Sequence, residues 1–275
     1  MAVTRLAGEV DLEFGTGEYG RTRLERRFRT GHFHVAKPYH DGRQLVVQVV
    51  NTTAGIFEND TLKARYFCGS GARACLLSPS SSQVYTMPSG GEARSEQLVK
   101  VRSGGSLAVL PRWLVPHRGS RFCQTTRIEL EPGARLLYLE PVSAGRVSFG
   151  EFLEMDSLSC RVEIRHDNKL VLRENLAIGS RLNRWILERE GCPRFPYLAA
   201  AYISFPGAAG FCERKFAELP ADGAESRMMG MTALTDELVV VRLLGRESTE
   251  VLATLKALYR ILESELPISP VLQRI

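Results

Sequence analysis

One repeated unit constrains the fold of this chain more than any other feature of its sequence. The unit is a short strand in which apolar and polar residues alternate, then a tight turn, then a second alternating strand. Its four copies occupy residues 62–77, 98–110, 127–139 and 161–172. The turn residues are Gly71, Gly105, Gly133 and Asn168, at intervals of 34, 28 and 35 positions. Each of these residue types tolerates a positive φ, as a tight turn between strands demands.

The recurrence of this unit predicts a mainly β-protein built of stacked antiparallel hairpins. A lone hairpin cannot bury its apolar face, whereas stacked hairpins bury a continuous one. We therefore expect a β-solenoid-like or layered body over residues 1–190, with antiparallel strands through residues 9–178. An ordinary β-sandwich with the same hairpins is the alternative.

The sequence after residue 190 predicts a small α+β appendage with about two helices, packed on the β-body. Its expected strands and helices, in chain order, are Tyr197–Ser204 (strand), Ala208–Leu219 (helix), Met228–Leu234 and Leu238–Leu244 (strands) and Glu247–Glu265 (helix). The last segment has apolar residues at helical spacing, and Ser248 or Thr249 is expected to cap it. We expect residues 191–275 to form one structural unit with the body. The apolar tail Leu266–Leu272 is expected either to pack on that body or to meet a partner.

Charge and hydropathy argue against several classes of protein. No apolar run approaches the roughly 20 residues needed to cross a bilayer, and the first ten residues lack the apolar core of an export signal. The net charge is +5 and the pI is about 9.0, but only Arg21–Arg29 forms a dense basic cluster. Acidic residues accompany the other Arg, which favours a solvated or protein-facing surface over nucleic-acid binding. We expect a cytoplasmic protein that binds neither membranes nor nucleic acids.

The sequence lacks the common motifs for catalysis and tight metal binding. It has no phosphate-binding loop, no dinucleotide-binding glycine pattern, and no zinc-protease or serine-hydrolase motif. The stretch Ser78–Ser82 fits a turn between strands, and the six cysteines are scattered without a C-x-x-C pair. On a strand, His32 and His34 would share one face. Two histidines make a weak site, so structural roles are favoured over transient metal contact.

Four carboxylates lie beside apolar strand segments near the ends of the predicted hairpins. They are Asp60, Glu140, Glu151 and Glu174. Oxygen ligands in a shielded channel would suit weak, exchangeable contacts with a divalent ion. Ion pairs with nearby basic residues such as Arg146 and Arg173 are the other interpretation, and spacing alone favours it.

Short motifs recur in a fixed order along nearly the whole chain. They are Lys37–Tyr39, Val50–Ile56 followed by Asp60, Leu76–Tyr85, Leu107–Pro111, Ala144–Arg146 with Gly150 and Glu151, Leu170–Leu176, Ser269–Leu272 and the pair Arg274, Ile275. Together they resemble the UreD-type urease accessory proteins, which are called UreH in some organisms. The chain departs from the family where Glu58, Asn59 and Asp60 replace a usual Gly-Gly-Asp turn. Asn also adopts a positive φ, so we expect the turn to survive.

This resemblance implies a scaffold protein and not an enzyme. Members of the family help to deliver nickel into apo-urease, together with an F-type accessory protein and a GTPase partner. The implied fold is a β-rich, solenoid-like body with two helices. The resemblance also implies an internal nickel path lined by Asp60, Glu140 and Glu174, with His32, His34 and Glu151 as weaker candidates. No tightly bound cofactor is expected, only nickel in transit, because a conduit must bind weakly enough to release its ion.

Two other functions remain open from the sequence. A β-solenoid hydrolase acting on carbohydrate would need two acids about 5–10 Å apart in an open groove with exposed aromatic residues. The chain has only two Trp, and the strands that carry Glu140 and Glu174 are rich in Leu, which argues against such a groove. A protein-binding module unrelated to urease is the second alternative.

Overall fold

The chain is mainly β-structure in the computed structural model, which describes residues 6–179, 194–216 and 226–269. The strands are β1 (Ala7–Thr16), β2 (Thr22–Thr30), β3 (Phe33–Val35), β4 (Tyr39–Asp41), β5 (Gln44–Asn51), β6 (Thr61–Cys68), β7 (Arg73–Leu77), β8 (Ser82–Val84), β9 (Ala93–Val101), β10 (Ser106–Leu110), β11 (Leu114–Pro116), β12 (Arg121–Leu130), β13 (Arg135–Ser143), β14 (Ser157–His166), β15 (Lys169–Ile178), β16 (Tyr197–Ser204), β17 (Arg227–Ala233) and β18 (Leu238–Gly245). The α-helices of the described part are α1 (Ala208–Phe216) and α2 (Ser248–Leu262), and 3₁₀ turns lie at Glu18–Gly20 and Val147–Phe149. The predicted mainly β-class with a small helical C-terminal part is therefore confirmed.

The strands form two sheets that face each other across a shared apolar core. The first sheet has the order β15-β14-β12-β9-β6-β1-β2, and the second has the order β17-β18-β16-β13-β10-β7-β5-β3. The short strands β4, β8 and β11 join the second sheet beside this path. Both sheets contribute to the core, as Leu12 and Val99 of the first sheet and Leu107 of the second illustrate.

The strands of the repeated units run parallel, which corrects the prediction of antiparallel hairpins. In the first three copies the two strands of a unit, such as β6 and β7, lie in opposite sheets. Each strand pairs in parallel with its counterpart in the next unit, so that β6, β9 and β12 are neighbours, as are β7, β10 and β13. The fourth copy, β14 and β15, is an antiparallel hairpin as predicted. The stacked, solenoid-like arrangement is confirmed, whereas the strand direction within most repeats was predicted wrongly.

The turns of the repeats carry the chain from one sheet to the other. Gly71 and Gly133 have φ values of 71° and 75°, as their positions in the repeat predict. In the second copy the positive φ, 72°, belongs to Gly104 and not to Gly105. A Cβ at Gly105 would lie 2.7 Å from the carbonyl oxygen of Gly69, so this glycine permits close packing of neighbouring turns.

Both described helices cover the outer face of the second sheet. Leu139 of β13 packs in one apolar cluster with Cys212 of α1 and Leu258 of α2. Leu136 and Tyr138 of the same strand point to the opposite side, into the core between the sheets. Because the second sheet is buried on both faces, its central strands are almost continuously apolar.

The elements after residue 194 follow the predicted order of strand, helix, two strands and helix. The predicted end of the first helix at Leu219, and the predicted boundary near residue 190, lie outside the described residues. The helix α2 is the longer of the two described, but its N-cap is Glu247 in a capping box with Glu250, not Ser248 or Thr249 as predicted. Because β16 pairs antiparallel with β13, the second sheet continues from the repeats into this region.

The first residues of the predicted apolar tail pack on the body. Leu266 and Ile268 are buried, and the Ile268 carbonyl accepts a hydrogen bond from Gln44 Nε2 at 3.1 Å. Ser269 Oγ donates to the Asp41 carboxylate at 2.5 Å. Intramolecular packing therefore holds for residues 266–269, and the rest of the predicted tail lies outside the described residues.

The outer face of the first sheet carries pairs of opposite charge on neighbouring strands. The pairs are Arg65 with Glu9 at 2.5 Å, Lys100 with Glu129 at 2.8 Å, and Arg173 with Glu163 at 2.9 Å. Such exposed pairs contribute less than about 1 kcal/mol each. Carboxylates thus accompany basic residues on this face, as the sequence indicates. Neither helix in the described part of the chain is long and apolar enough to cross a lipid bilayer.

The core between the sheets should respond strongly to loss of a central side chain. Leu136 of β13 is fully buried, so Leu136→Ala is expected to lower the free energy of unfolding by about 2–5 kcal/mol through lost burial and a residual cavity. Leu170→Ala is the matched control, because Leu170 is 41% exposed and its truncation should cost about 1 kcal/mol at most. Urea denaturation measures both, and equal losses would contradict the assignment of Leu136 to the core.

Candidate functional site between the two sheets

A layer of polar side chains interrupts the apolar core between the two sheets. Gln124 of β12 donates from Nε2 to the Glu140 carboxylate of β13 at 2.9 Å. Gln97 of β9 donates to Gln124 Oε1 at 3.1 Å, and the Tyr138 hydroxyl of β13 donates to Gln97 Oε1 at 3.1 Å. The hydroxyls of Tyr138 and Thr126 lie 3.3 Å apart. This chain of hydrogen bonds links the first sheet to the second, and we call it the polar layer.

The strand pattern explains how these side chains meet. In β9, β12 and β13 alternate residues point inward, and Gln97, Gln124 and Glu140 occupy such inward positions among apolar neighbours. Parallel pairing of β9 with β12 sets their inward residues side by side. The polar layer therefore follows from polar residues at inward positions of alternating strands, together with the register of the stack.

A cavity of about 140 Å³ lies beside the polar layer. Its wall includes Glu140, Gln97, Gln124 and Tyr138, and its other polar lining residues include Asn51, Ser78, Ser80, Ser82, Ser95 and Arg112. The serine-rich stretch connects β7 to β8, so it is the turn that the sequence predicts. A cavity of this volume with polar groups in its wall has room for several water molecules or for a hydrated ion.

The environment of Glu140 favours the protonated carboxyl. Burial raises the pKa of Glu140 to about 7, and the negative charge of Glu174 adds to this rise. The hydrogen bond from Gln124 opposes it, because that bond stabilises the carboxylate. Near neutral pH this carboxyl therefore exchanges between its charged and neutral forms inside the protein.

Glu174 of β15 lies at the edge of the polar layer, on the inward-facing side of its strand. It pairs with Arg242 of β18, and this ion pair bridges the first sheet to the second. Arg242 is the cross-strand neighbour of Ala200, which in turn neighbours Glu140. The hydroxyl of Tyr202 is buried near Glu174, and burial, followed by the negative charges of Glu140 and Glu174, raises the pKa of Tyr202. The structure therefore brings Glu140 and Glu174 into one region.

Asp60 lies outside this region, in a buried contact with His32. His32 Nε2 is 3.0 Å from Asp60 Oδ2, and the two residues are 0% and 1% exposed. The backbone N–H groups of Phe57 and Leu6 donate to the same carboxylate at 2.8 and 3.2 Å. Each carboxylate oxygen is thus engaged by the protein itself.

The turn before Asp60 keeps a left-handed residue despite its departure from Gly-Gly-Asp. Asn59 has φ 66°, as expected of a residue that tolerates this region. Glu58 is buried and accepts hydrogen bonds from the backbone N–H groups of Ser89, at 3.2 Å, and Gly91. The Glu58 side chain therefore anchors the turn at residues 89–91.

The two weaker histidine candidates do not face the same side. His32 precedes β3 and is fully buried, whereas His34 lies within β3 and is exposed. The predicted shared face is therefore wrong, because strand alternation begins only after His32. Among the described residues, no group of three or more His, Cys, Asp or Glu side chains is placed to hold a metal ion.

Glu151, the remaining candidate, is held in an ion pair with Arg146. Arg146 Nε donates to Glu151 Oε2 at 3.1 Å, and the backbone N–H of Arg118 donates to the same oxygen at 3.3 Å. Arg146 lowers the pKa of Glu151, and Glu151 is 4% exposed. The predicted pairing with Arg146 is confirmed, whereas Arg173 pairs with Glu163 and not with Glu174.

Sequence reasoning identified the carboxylates of this site but missed the groups that surround them. These are Gln97, Gln124, Tyr138, Tyr202 and Arg242. Gln97 and Gln124 interrupt alternating strands, and Arg242 interrupts the apolar run of β18, so each leaves a signal in the sequence. The polar layer offers carboxylate, amide and phenol oxygens, a donor set suited to weak binding of a divalent cation.

Comparisons with known proteins show which family this chain resembles along its length. Residues 6–275 match the family described as UreD urease accessory protein. A urease accessory protein UreD of Opitutus terrae is 32% identical over 265 residues, covering 95% of this chain and 96% of the relative. One from Halalkalibacterium halodurans is 25% identical, covering 93% of each chain. A urease accessory protein UreH of Helicobacter hepaticus is 28% identical, covering 60% of this chain and 65% of the relative.

The family match and the first two relatives span nearly the whole length of the chain. All three relatives are named as urease accessory proteins. The predicted resemblance is therefore confirmed. This chain belongs to the UreD family of urease accessory proteins.

Proposed function

We propose that this protein is a non-enzymatic scaffold that helps to deliver nickel into apo-urease in the cytoplasm. It would act in a complex with an F-type urease accessory protein and a GTPase accessory protein. Family membership supports the accessory role, because the relatives bear the name urease accessory protein. Nickel is cargo in this proposal, held in transit and passed on.

The single observation that carries the nickel role is the carboxyl of Glu140 beside a cavity with a partly polar wall. An ion that enters a protein interior loses hydration, and apolar walls do not offset that cost. The Glu140 carboxylate and the Gln124 amide would replace part of the hydration shell. Because burial holds the pKa of Glu140 at about 7, a proton competes with the ion, which keeps binding shallow enough for release.

The contacts of the three predicted lining residues suggest different roles for them. Glu140 borders the cavity, and Glu174 lies at the edge of the same layer, where an ion would compete with Arg242. Asp60 is already engaged by His32 and by two backbone N–H groups. We therefore assign the nickel path to Glu140 and Glu174, and a mainly structural role to Asp60.

Reconstituted activation of urease tests the proposed function. Apo-urease, the F-type protein, the GTPase partner and nickel are combined with or without this chain, and nickel per urease active site is counted. Omission of the chain should reduce nickel loading, and the chain should co-purify with its partners. Equal loading with and without the chain would contradict the proposal.

The protein alone should bind nickel weakly. We expect dissociation constants of micromolar or weaker with fast exchange, because the described residues offer no closed set of four nitrogen or sulfur ligands. Isothermal titration calorimetry on the purified chain measures this. A nanomolar site that disappears when His32 and His34 are both changed to Ala would contradict the expectation.

A further inference from the structure

A second cavity, of about 150 Å³, lies between α2 and the loops at the edge of the second sheet. Its walls are largely apolar and include Pro79, Trp113, Leu252, Leu255 and Tyr259. The Trp113 ring is buried and contacts the Tyr197 ring, with centroids 5.2 Å apart, so an aromatic pair forms this wall. We call this cavity the helix pocket.

Two cationic side chains, Arg112 and Lys256, line the helix pocket. Both are partly buried, and within the described residues neither makes an ion pair or a side-chain hydrogen bond. Lys256 has Leu252 and Arg260 at four positions before and after it on α2, so the helix supplies no acidic neighbour. Many basic side chains on the first sheet have a carboxylate partner, as Arg65 and Lys100 do. The pocket therefore combines apolar walls with positive charge that the described chain does not neutralise.

The size of the helix pocket favours a side chain over a free metabolite. Small-molecule sites usually enclose about 300–1,000 Å³, roughly two to seven times this volume. A cavity of 150 Å³ fits one or two apolar side chains. An acidic residue next to such a side chain would reach the cations at the wall.

We propose that the helix pocket docks a segment of a partner protein in which an apolar side chain is followed by carboxylates. The apolar side chain would pack on Trp113 and Tyr259, and the carboxylates would pair with Arg112 and Lys256. Charge complementarity selects an acidic segment and excludes a basic one. Aromatic walls with a flanking Arg are also the composition that dominates binding energy at protein interfaces.

Docking at this pocket has a consequence for the internal cavity, because Arg112 lines both of them. A carboxylate paired with Arg112 would remove a positive charge from the wall of the cavity that holds Glu140. Loss of that charge would lower the electrostatic barrier for a divalent cation that enters the cavity. This consequence rests on the proposed function. The docking itself needs neither nickel nor urease. A failed docking experiment and a failed test of the proposed function can therefore be told apart.

Fluorescence anisotropy with a defined peptide tests the docking. The probe is a rhodamine-labelled Gly-Leu-Leu-Glu-Glu peptide with an amidated C-terminus, titrated with the full chain. Arg112→Gln and Lys256→Gln should each weaken binding about tenfold, the factor that corresponds to about 1.4 kcal/mol. A Gly-Leu-Leu-Gln-Gln peptide should lose at least as much affinity on the unmodified chain.

Matched controls remove the same charges elsewhere. Arg161 and Lys63 lie at exposed positions of the first sheet. Arg161→Gln and Lys63→Gln should therefore change the affinity for the acidic peptide by no more than about twofold. The proposal is overturned if the acidic peptide does not bind at about 1 mM protein, or if the pocket and control variants weaken it equally. Equal binding of the Glu and Gln peptides would overturn it as well.

Discussion

Replacing Asp60 with Ala should lower the free energy of unfolding by about 3–5 kcal/mol. The change leaves His32 fully buried without its partner, and it removes the acceptor for the backbone N–H groups of Phe57 and Leu6. Breaking a buried pair from one side costs this much because the remaining polar group stays desolvated. Since domains are stable by only about 5–15 kcal/mol, the variant should unfold at much lower urea concentration.

Asp60→Asn should fall between the unmodified chain and Asp60→Ala, because one oxygen acceptor remains. Asp156→Ala is the matched control: Asp156 pairs with Arg121 at the surface, and its side chain is 44% exposed. That substitution should cost about 1 kcal/mol at most. If Asp60→Ala is as stable as the control yet nickel loading of urease falls, the carboxylate is part of the ion path and its structural assignment is wrong.

Replacing Glu140 with Gln should have the opposite effect on stability and a large effect on nickel delivery. The pKa of Glu140 is about 7 in the folded protein, whereas its ordinary value of 4.5 applies in the unfolded chain. Between these values the folded state binds one proton more than the unfolded state, so stability falls as the pH rises from about 4.5 to 7. This loss reaches up to about 3 kcal/mol above pH 7.

Glu140→Gln cannot ionise, so it should match the unmodified chain near pH 4.5 and exceed its stability by up to about 3 kcal/mol at pH 8. Under the proposed function the same variant should load nickel into urease about tenfold more slowly, as expected when an ion loses about 1.4 kcal/mol of stabilisation along its path. Urea denaturation across this pH range and nickel counted per urease site are the two measurements.

Glu163→Gln provides the control for charge loss, because Glu163 pairs with Arg173 on the outer face of the first sheet. It should change neither the pH dependence of stability nor nickel loading. A Glu140→Gln variant with the predicted stability profile but normal nickel loading would remove Glu140 from the ion path. A variant with an unchanged stability profile would show that the carboxyl is not desolvated.

Local patterns in the sequence determined the strands, the inward side of each strand and the long C-terminal helix. Alternation with period two reports which face of a strand is buried. A stretch of only a few residues is enough to show this alternation. Val10, Leu12 and Phe14 of β1 are buried as their alternation predicts, and α2 buries Val251, Leu255 and Leu258 along its apolar stripe. These features were predictable because neighbours in the sequence settle them.

Only the tertiary structure decided which strands lie side by side. The pattern of β6 and β7 suits an antiparallel hairpin and a parallel stack equally well, since both bury the same faces. The choice depends on partners about 30 residues away in the chain. In the polar layer Gln97 and Gln124 are 27 positions apart, and Gln124 and Glu140 are 16 apart. Glu140 could therefore be named from the sequence, but Gln97 and Gln124 could not be placed beside it.

The partners of charged groups were decided in the same way. Glu174 is next to Arg173 in the sequence, yet the two do not pair. Arg173 faces outward and pairs with Glu163, whereas Glu174 points inward and pairs with Arg242. The sequence of this protein determined its family, its strands and the candidate carboxylates. The stacking of distant strands decided which of those carboxylates meet, because burial is a local property of a strand and contact between strands is not.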